Sequence, residues 1–223
     1  SIKTFTQLLP QRFEDRDFRR TFCEVVPPEV QRIDAIVTRL LDFARPRPSS
    51  FAPLDVSDII QEVLALVENQ LRKGHIEVHT GFPGDAREVL ADEQQLHQVF
   101  LNLFLNAVDA MEDVPTRRLT VTMTYDRLHL SRNGDPIMMD TPCVKIVVAD
   151  TGRGIPEKHV AHVFTPFFTT KANGSGLGLA VVHGIVSDHG GHVDVSSTPG
   201  VGTRFEIMLP LAAQATLTRE AAV

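Results

Sequence analysis

The chain has no apolar run long enough to span a bilayer, and its N-terminus lacks the basic-then-apolar pattern of a signal peptide. A cytoplasmic segment without membrane contact is therefore expected. Only two cysteines occur, Cys23 and Cys143, far apart and in different expected domains. Both should be free thiols in a reducing compartment. A basic excess is also missing, since the net charge is −6 and the pI about 5.8, which argues against nucleic acid or an anionic membrane as partner. No glycine run leads into Gly-Lys-Ser/Thr, so there is no Walker loop. Internal repeats are absent. No histidine occurs before His75.

What is present gathers around two glycine clusters. The run Val144-Lys145-Ile146-Val147-Val148-Ala149 is apolar and mostly β-branched, so it reads as a buried strand that delivers Asp150 to its end. Gly152 and Gly154 follow, where the backbone turns sharply and a flat group can approach closely. Gly174, Gly176 and Gly178 lie directly before the helical pattern Leu179 to Val186. Amides of such a loop and the helix start behind it make an anion cradle. The Rossmann pattern does not fit, because Thr169-Thr170-Lys171-Ala172-Asn173 stands where a strand is needed. A carboxylate for a base edge and a cradle for phosphates suggest a nucleotide site.

A third stretch, Asp92 to Met111, has apolar residues at 96, 99, 100, 103, 107 and 111, the spacing of a core-facing helix. Gln98, Asn102, Asn106 and Asp109 form a second stripe on it. Asparagines make poor helix formers and poor cover for a core, so this stripe should line a polar cavity. Magnesium prefers oxygen ligands and keeps several waters, so one neutral Asn carbonyl plus nucleotide phosphates is a plausible shell for it.

The asparagine helix, Asp150-Thr151-Gly152-Arg153-Gly154, Val163-Phe164-Thr165-Pro166-Phe167-Phe168-Thr169-Thr170-Lys171, the Gly174 to Gly178 loop and Gly200-Val201-Gly202-Thr203 occur in that order. They resemble the N, first glycine, F, second glycine and third glycine boxes of sensor histidine kinases. The Phe-Phe-Thr-Thr-Lys form and Leu40-Leu41-Asp42-Phe43-Ala44-Arg45-Pro46 are most similar to the nitrogen-regulation sensor branch.

The resemblance implies a Bergerat (GHKL) ATP-binding fold with ATP and magnesium as cofactors. It implies that Asp150 accepts from the exocyclic amine of adenine, supported by Thr203 through a hydroxyl or water. Asn106 would ligate magnesium, Asn102 would sit nearer the phosphates or a bound water, and Asp109 would share their face. Lys171 would neutralise phosphate charge. Gly152, Gly154, Ile155, Gly174, Ser175, Gly176, Leu177, Gly178 and Leu179 complete the expected nucleotide contacts. Residues 155–173 would form a lid ordered by nucleotide, with Phe164, Phe167 and Phe168 packing it down.

In that family the phosphate-accepting histidine lies in a box just before a stretch like Ser1-Ile2-Lys3-Thr4-Phe5, so it is expected immediately upstream of Ser1. Phosphotransfer to that histidine and then to a response-regulator aspartate would be the activity. An amide at Asn102, where related ATPases carry a water-activating glutamate, cannot take a proton at neutral pH, so slow hydrolysis is expected. A water-activating ATPase of the same superfamily and a nucleotide-free docking module are the alternatives.

The domain reading follows. Residues 1–45 read as a truncated dimerisation and phosphotransfer hairpin, with apolar stripes at 2, 5, 8 and 9, at 18, 22 and 25, and from 33 to 44, and a kink or restart at Pro27-Pro28. Two such helices cannot close a core alone, so a homodimer forming a four-helix bundle is expected. Residues 46–50 read as a linker, 51–210 as the catalytic domain and 211–223 as a flexible tail. Within the domain, 51–56 reads as an edge strand that tolerates Pro53, and Ser57 as the cap of the next helix. Strands are expected near 75–82, 88–91, 118–130, 193–195 and 203–209. The fold class is α+β, a two-layer sandwich with helices on one face of a mixed sheet.

Overall fold

The run from Val144 to Ala149 lies in β5 (Met138–Asp150), the middle strand of a five-stranded mixed sheet. In this computed structural model residues 2–28, 30, 50–85, 87–131, 138–171 and 174–212 are described. The chain divides into two compact units, 1–47 and 48–223.

In the larger unit the sheet order is β2 (Glu77–Gly81), β4 (Arg118–Ser131), β5, β7 (Gly202–Pro210) and β6 (His192–Thr198). The β2 and β4 strands are parallel and the other pairs antiparallel. Alternate residues Leu119, Val121 and Met123 of β4, Val144, Ile146 and Val148 of β5, and Phe205, Ile207 and Leu209 of β7 share one face, as period-two pleating requires. That face packs into one core with α3 (Val56–Lys73), α4 (Glu93–Ala110) and α6 (Gly178–Asp188). The architecture is thus an α+β sandwich of helices on a mixed sheet.

The sequence pattern of α4 appears directly in its packing. Leu96, Val99, Phe100, Leu103, Phe104 and Ala107 are its buried residues. Asp92 caps the helix by accepting from Gln95 N at 3.0 Å, and its other oxygen accepts from Ser50 N at 2.8 Å. The α3 cap differs from expectation: it is Asp55, whose carboxylate accepts from Ser57 N at 2.8 Å, so Ser57 is already inside the helix. β1 (Phe51–Leu54) does not join the main sheet. It pairs with β3 (Val89–Asp92) in a separate two-stranded ladder, with Pro53 opposite Leu90.

His189 was not singled out by sequence. It closes α6, with Nδ1–H donating to Ile185 O at 2.7 Å and Nε2 accepting from Asp92 N at 3.0 Å. Those two contacts define a neutral Nδ1–H tautomer. Leu211 and Ala212 are fastened rather than loose, because their amides donate to Pro142 O and Glu88 O. The rest of the expected tail lies outside the described residues.

In the smaller unit α1 (Ile2–Arg12) runs three residues past Leu9, and α2 follows over 16–28. Asp15 accepts from Asp17 N and Phe18 N, which starts the second helix. The Phe18 amide and the Arg12 guanidinium hold its carboxyl below the usual carboxylate range. Phe5 packs on Phe18 and Phe22 with ring centroids 5.8 and 6.2 Å away. Residues 27 and 28 remain helical, so the two prolines end no helix there. The expected stripe from 33 to 44 and residues 46–49 of the linker lie outside the described residues. Among the described residues no helix is long and apolar enough to cross a membrane, and Cys23 and Cys143 are both free.

Candidate functional site

Asp150 is the last residue of β5 and is paired on both sides, opposite Leu119 of β4 and Thr203 of β7. Burial pushes its carboxyl above the ordinary range, against the opposing pull of backbone hydrogen bonds from Gly152 and Thr203. The Gly152 amide donates to Asp150 Oδ1 at 2.8 Å. At neutral pH the strand therefore holds a partly desolvated anion at its mouth.

The turn after Asp150 is docked on the end of α4. A Cβ on Gly152 would fall 2.7 Å from Asp150 Oδ1, Ala110 Cβ and Ala110 O alike, so only glycine lets the carboxylate and the helix close on the same point. Arg153 N donates to Ala110 O at 3.0 Å. One turn back on the helix, Lys171 Nζ lies 2.9 Å from Asn106 Oδ1 and 2.7 Å from Asp109 Oδ2. One turn further, Asn102 Oδ1 is 3.3 Å from where a Cβ on Gly178 would stand. Three separate sequence motifs thus meet the same helix, at Ala110, at Asn106 and Asp109, and at Asn102.

The glycine loop is placed by its neighbours. Gly176 accepts from Phe167 N at 2.9 Å, and Phe167 takes a left-handed conformation, φ 66°, rarely adopted by an aromatic residue. Gly174 lies against Thr169 and Lys171, and Ser175 Oγ accepts from Leu177 N at 3.4 Å. Leu177 is buried and Leu179 packs against the core, so these two offer a ligand their backbone rather than their side chains. The first turn of α6, starting at Gly178, presents amides that the helix itself cannot satisfy. Phe164 packs on Phe205 and His183, while Phe168 meets His159 and His162. Phe167 is exposed.

Ser197 escaped the sequence reading. Its hydroxyl accepts from Ile155 N at 2.8 Å, donates to Gly202 O at 2.9 Å and lies 3.0 Å from Thr203 Oγ1. With the Ser197 proton spent on Gly202, Thr203 donates to Ser197. The Thr203 backbone amide donates to the Asp150 carboxyl, while its hydroxyl meets Ser197. A Cβ on Gly154, φ 70°, would fall 2.2 Å from Thr198 O, so the turn is wedged against the β6–β7 hairpin. Ser197→Ala removes the hub of these three bonds and is expected to lower stability by about 1–3 kcal/mol. Denaturant unfolding measures it, and a loss below a few tenths of a kcal/mol would contradict the role.

The donor set suits a hard divalent cation. Asn106 offers a neutral oxygen that already accepts from a cation, the Lys171 ammonium, while the Asp109 carboxylate is taken up by that same ammonium.

Residues 91–213 match the family described as histidine kinase-, DNA gyrase B-, and HSP90-like ATPase. Sensor histidine kinase ZraS of Escherichia coli O157:H7 is 34% identical over 211 residues, covering 95% of this chain and 43% of its own length. Sensory histidine kinase/phosphatase NtrB of Rhizobium leguminosarum bv. phaseoli is 34% identical over 212 residues, 95% of this chain and 54% of its own. The chain thus spans about half or less of the curated relatives it matches. Among solved structures, histidine kinase ThkA in complex with response regulator protein TrrA superposes with a TM-score of 0.69 and 25% identity, covering 96% of this chain and 57% of that one.

Proposed function

Because the chain belongs to the histidine kinase-, DNA gyrase B-, and HSP90-like ATPase family, we propose that it is the ATP-binding kinase core of a two-component sensor histidine kinase. The observation that carries this reading is that the Asp150 turn, Lys171 and the glycine loop all meet α4, at Ala110, at Asn106 and Asp109, and at Asn102 respectively.

When bound, ATP supplies the γ-phosphoryl group and magnesium screens the charge of its phosphates. Asp150 accepts a hydrogen bond from the exocyclic amine of adenine; guanine carries an oxygen at that position and would face the carboxylate with a like dipole. Asn106 would hold the metal through its amide oxygen. Asn102 and the amides from Gly174 to the first turn of α6 hold the phosphates. Gly152, Gly154 and Ile155 form the floor under the base. Lys171 offers its ammonium to phosphate charge, so positioning and charge stabilisation carry the transfer.

The nucleophile is a histidine brought to the γ-phosphate, and the second acceptor is an aspartate on a response regulator. A neighbour solved with such a regulator supports that partner. The helices of the smaller unit are assigned to homodimerisation, and the segment to the cytoplasm. Incubating the chain with magnesium-ATP and a histidine-box phosphotransfer domain of a sensor kinase should give acid-labile phosphohistidine; acid-stable label or none refutes the transfer.

Asn102 cannot act as a base, so phosphate release from magnesium-ATP should stay far below about 1 s⁻¹, the low end of ordinary turnover. Rapid release would favour a water-activating ATPase. Failure to bind nucleotide in calorimetry would favour a docking module instead.

A further inference from the structure

The Lys171 side chain does something that phosphate binding does not require. It crosses from the lid to α4 and makes two hydrogen bonds there, one to the amide oxygen of Asn106 and one to the Asp109 carboxylate. It is about two-thirds covered, with 32% of the side chain exposed. We infer that Asp109 is a positioning residue that parks the Lys171 ammonium on the Asn106 oxygen, so that a nucleotide-borne divalent cation must displace the lysine and thereby unlatch the lid.

The inference deepens the reading above and rests on it. Asn106 Oδ1 is neutral and holds an ammonium at 2.9 Å. A divalent cation at about 2.0–2.1 Å from the same oxygen would stand beside the ammonium, and the two like charges would repel. The repulsion is relieved if Lys171 swings toward the incoming phosphates. Without nucleotide, Asp109 is the only anion within hydrogen-bond reach of the ammonium among the described residues, so Asp109 sets how firmly the lysine stays parked.

The anchor is local to α4 and the lid. Asp109 stands three residues after Asn106 on the same helix face and immediately precedes Ala110, which receives the Asp150 turn. The hydrogen bonds of the latch go to Asn106 and Asp109, and none goes to Asp150. The latch changes when the lid opens, not which base is chosen.

The test uses the full chain with Asp109→Asn, Asp109→Glu, Lys171→Met and the Asp109→Asn/Lys171→Met double variant. In the nucleotide-free protein, Asp109→Asn should speed amide hydrogen exchange across 163–171 by about fivefold, the equivalent of about 1 kcal/mol for a partly screened ion pair. Asp109→Glu should restore slow exchange. Magnesium-ADP, titrated calorimetrically, should bind Asp109→Asn about threefold to fivefold more tightly than wild type. In the Lys171→Met background the Asp109 change should have no further effect on either measurement.

Unchanged or slower exchange in Asp109→Asn overturns the latch. So does weaker magnesium-ADP binding, or an Asp109 effect that survives removal of Lys171. If even the wild type fails to bind magnesium-ADP, the nucleotide reading falls, and the exchange measurements still decide the latch.

Discussion

Gly202→Ala is expected to cost the fold more than about 4 kcal/mol, at the far end of single-residue effects. Gly202 sits at φ 143°, a conformation that L side chains rarely adopt. A Cβ there would lie 2.0 Å from Asp150 O, 2.9 Å from Asp150 C and 3.1 Å from Thr151 Cα. All three are backbone atoms of the central strand and its turn, so no side chain can swing aside to make room. Either β7 separates from β5 at the Asp150–Thr203 pair or the Asp150 turn is pushed away from α4.

Two controls isolate that cause. Gly84→Ala meets nothing within 4 Å and has no unusual φ, so it should be nearly neutral. Gly200→Ala also meets nothing within 4 Å but sits at φ 75°, so it should lose about 1–2 kcal/mol from the left-handed conformation alone. The difference between Gly202→Ala and Gly200→Ala then reads the clash. Urea unfolding gives all three values, and a Gly202→Ala loss within about 1 kcal/mol of Gly84→Ala would show that the hairpin yields freely.

Features with a local period were legible in the sequence. The six-residue apolar run gave β5 and placed Asp150 at its end, and the spacing of Leu96, Val99, Phe100, Leu103 and Ala107 gave both the buried face of α4 and, by elimination, its amide stripe. Features made by chain segments meeting through space were not. Ser197 acquires its role from Ile155, 42 residues away, and Lys171 meets Asp109 across 62 residues. His189 and Asp92 are 97 apart. Nothing in the local pattern around a strand serine or a helix-ending histidine announces such partners. The β1–β3 ladder was hidden for the same reason, since an edge strand's sequence does not name the edge it joins.

The α3 cap shows a subtler limit. Asp55 and Ser57 both suit an N-cap, and two residues of offset decide between them. Propensity leaves that choice open, whereas the bond from Ser57 N to Asp55 settles it.

Asp150→Asn should move binding and stability in opposite directions. The carboxylate sits where its burial outweighs the Gly152 and Thr203 amides, so its folded pKa is raised above that of the unfolded chain. A raised value means that the group's contribution to stability is fully present below the ordinary carboxylate range and is lost as pH rises through the folded value. At neutral pH the nucleotide-free protein therefore carries a buried anion at a cost. Asparagine keeps an acceptor for Gly152 N and removes the charge, so the thermal midpoint without nucleotide should not fall, and its decline from mildly acidic to neutral pH should flatten.

Binding should go the other way. An amide oxygen accepts from the adenine amine less strongly than a carboxylate does, and the amide NH₂ can rotate into the position the base needs for its donor. The expected loss in magnesium-ADP affinity is about 1–3 kcal/mol, roughly fivefold to 150-fold. A variant that is destabilised and weakened together would point to a merely structural aspartate that closes the turn through Gly152 N. One that keeps full affinity would remove Asp150 from the base pocket altogether. Only unchanged or higher stability paired with weaker binding fits a charge that the fold tolerates for the sake of its ligand.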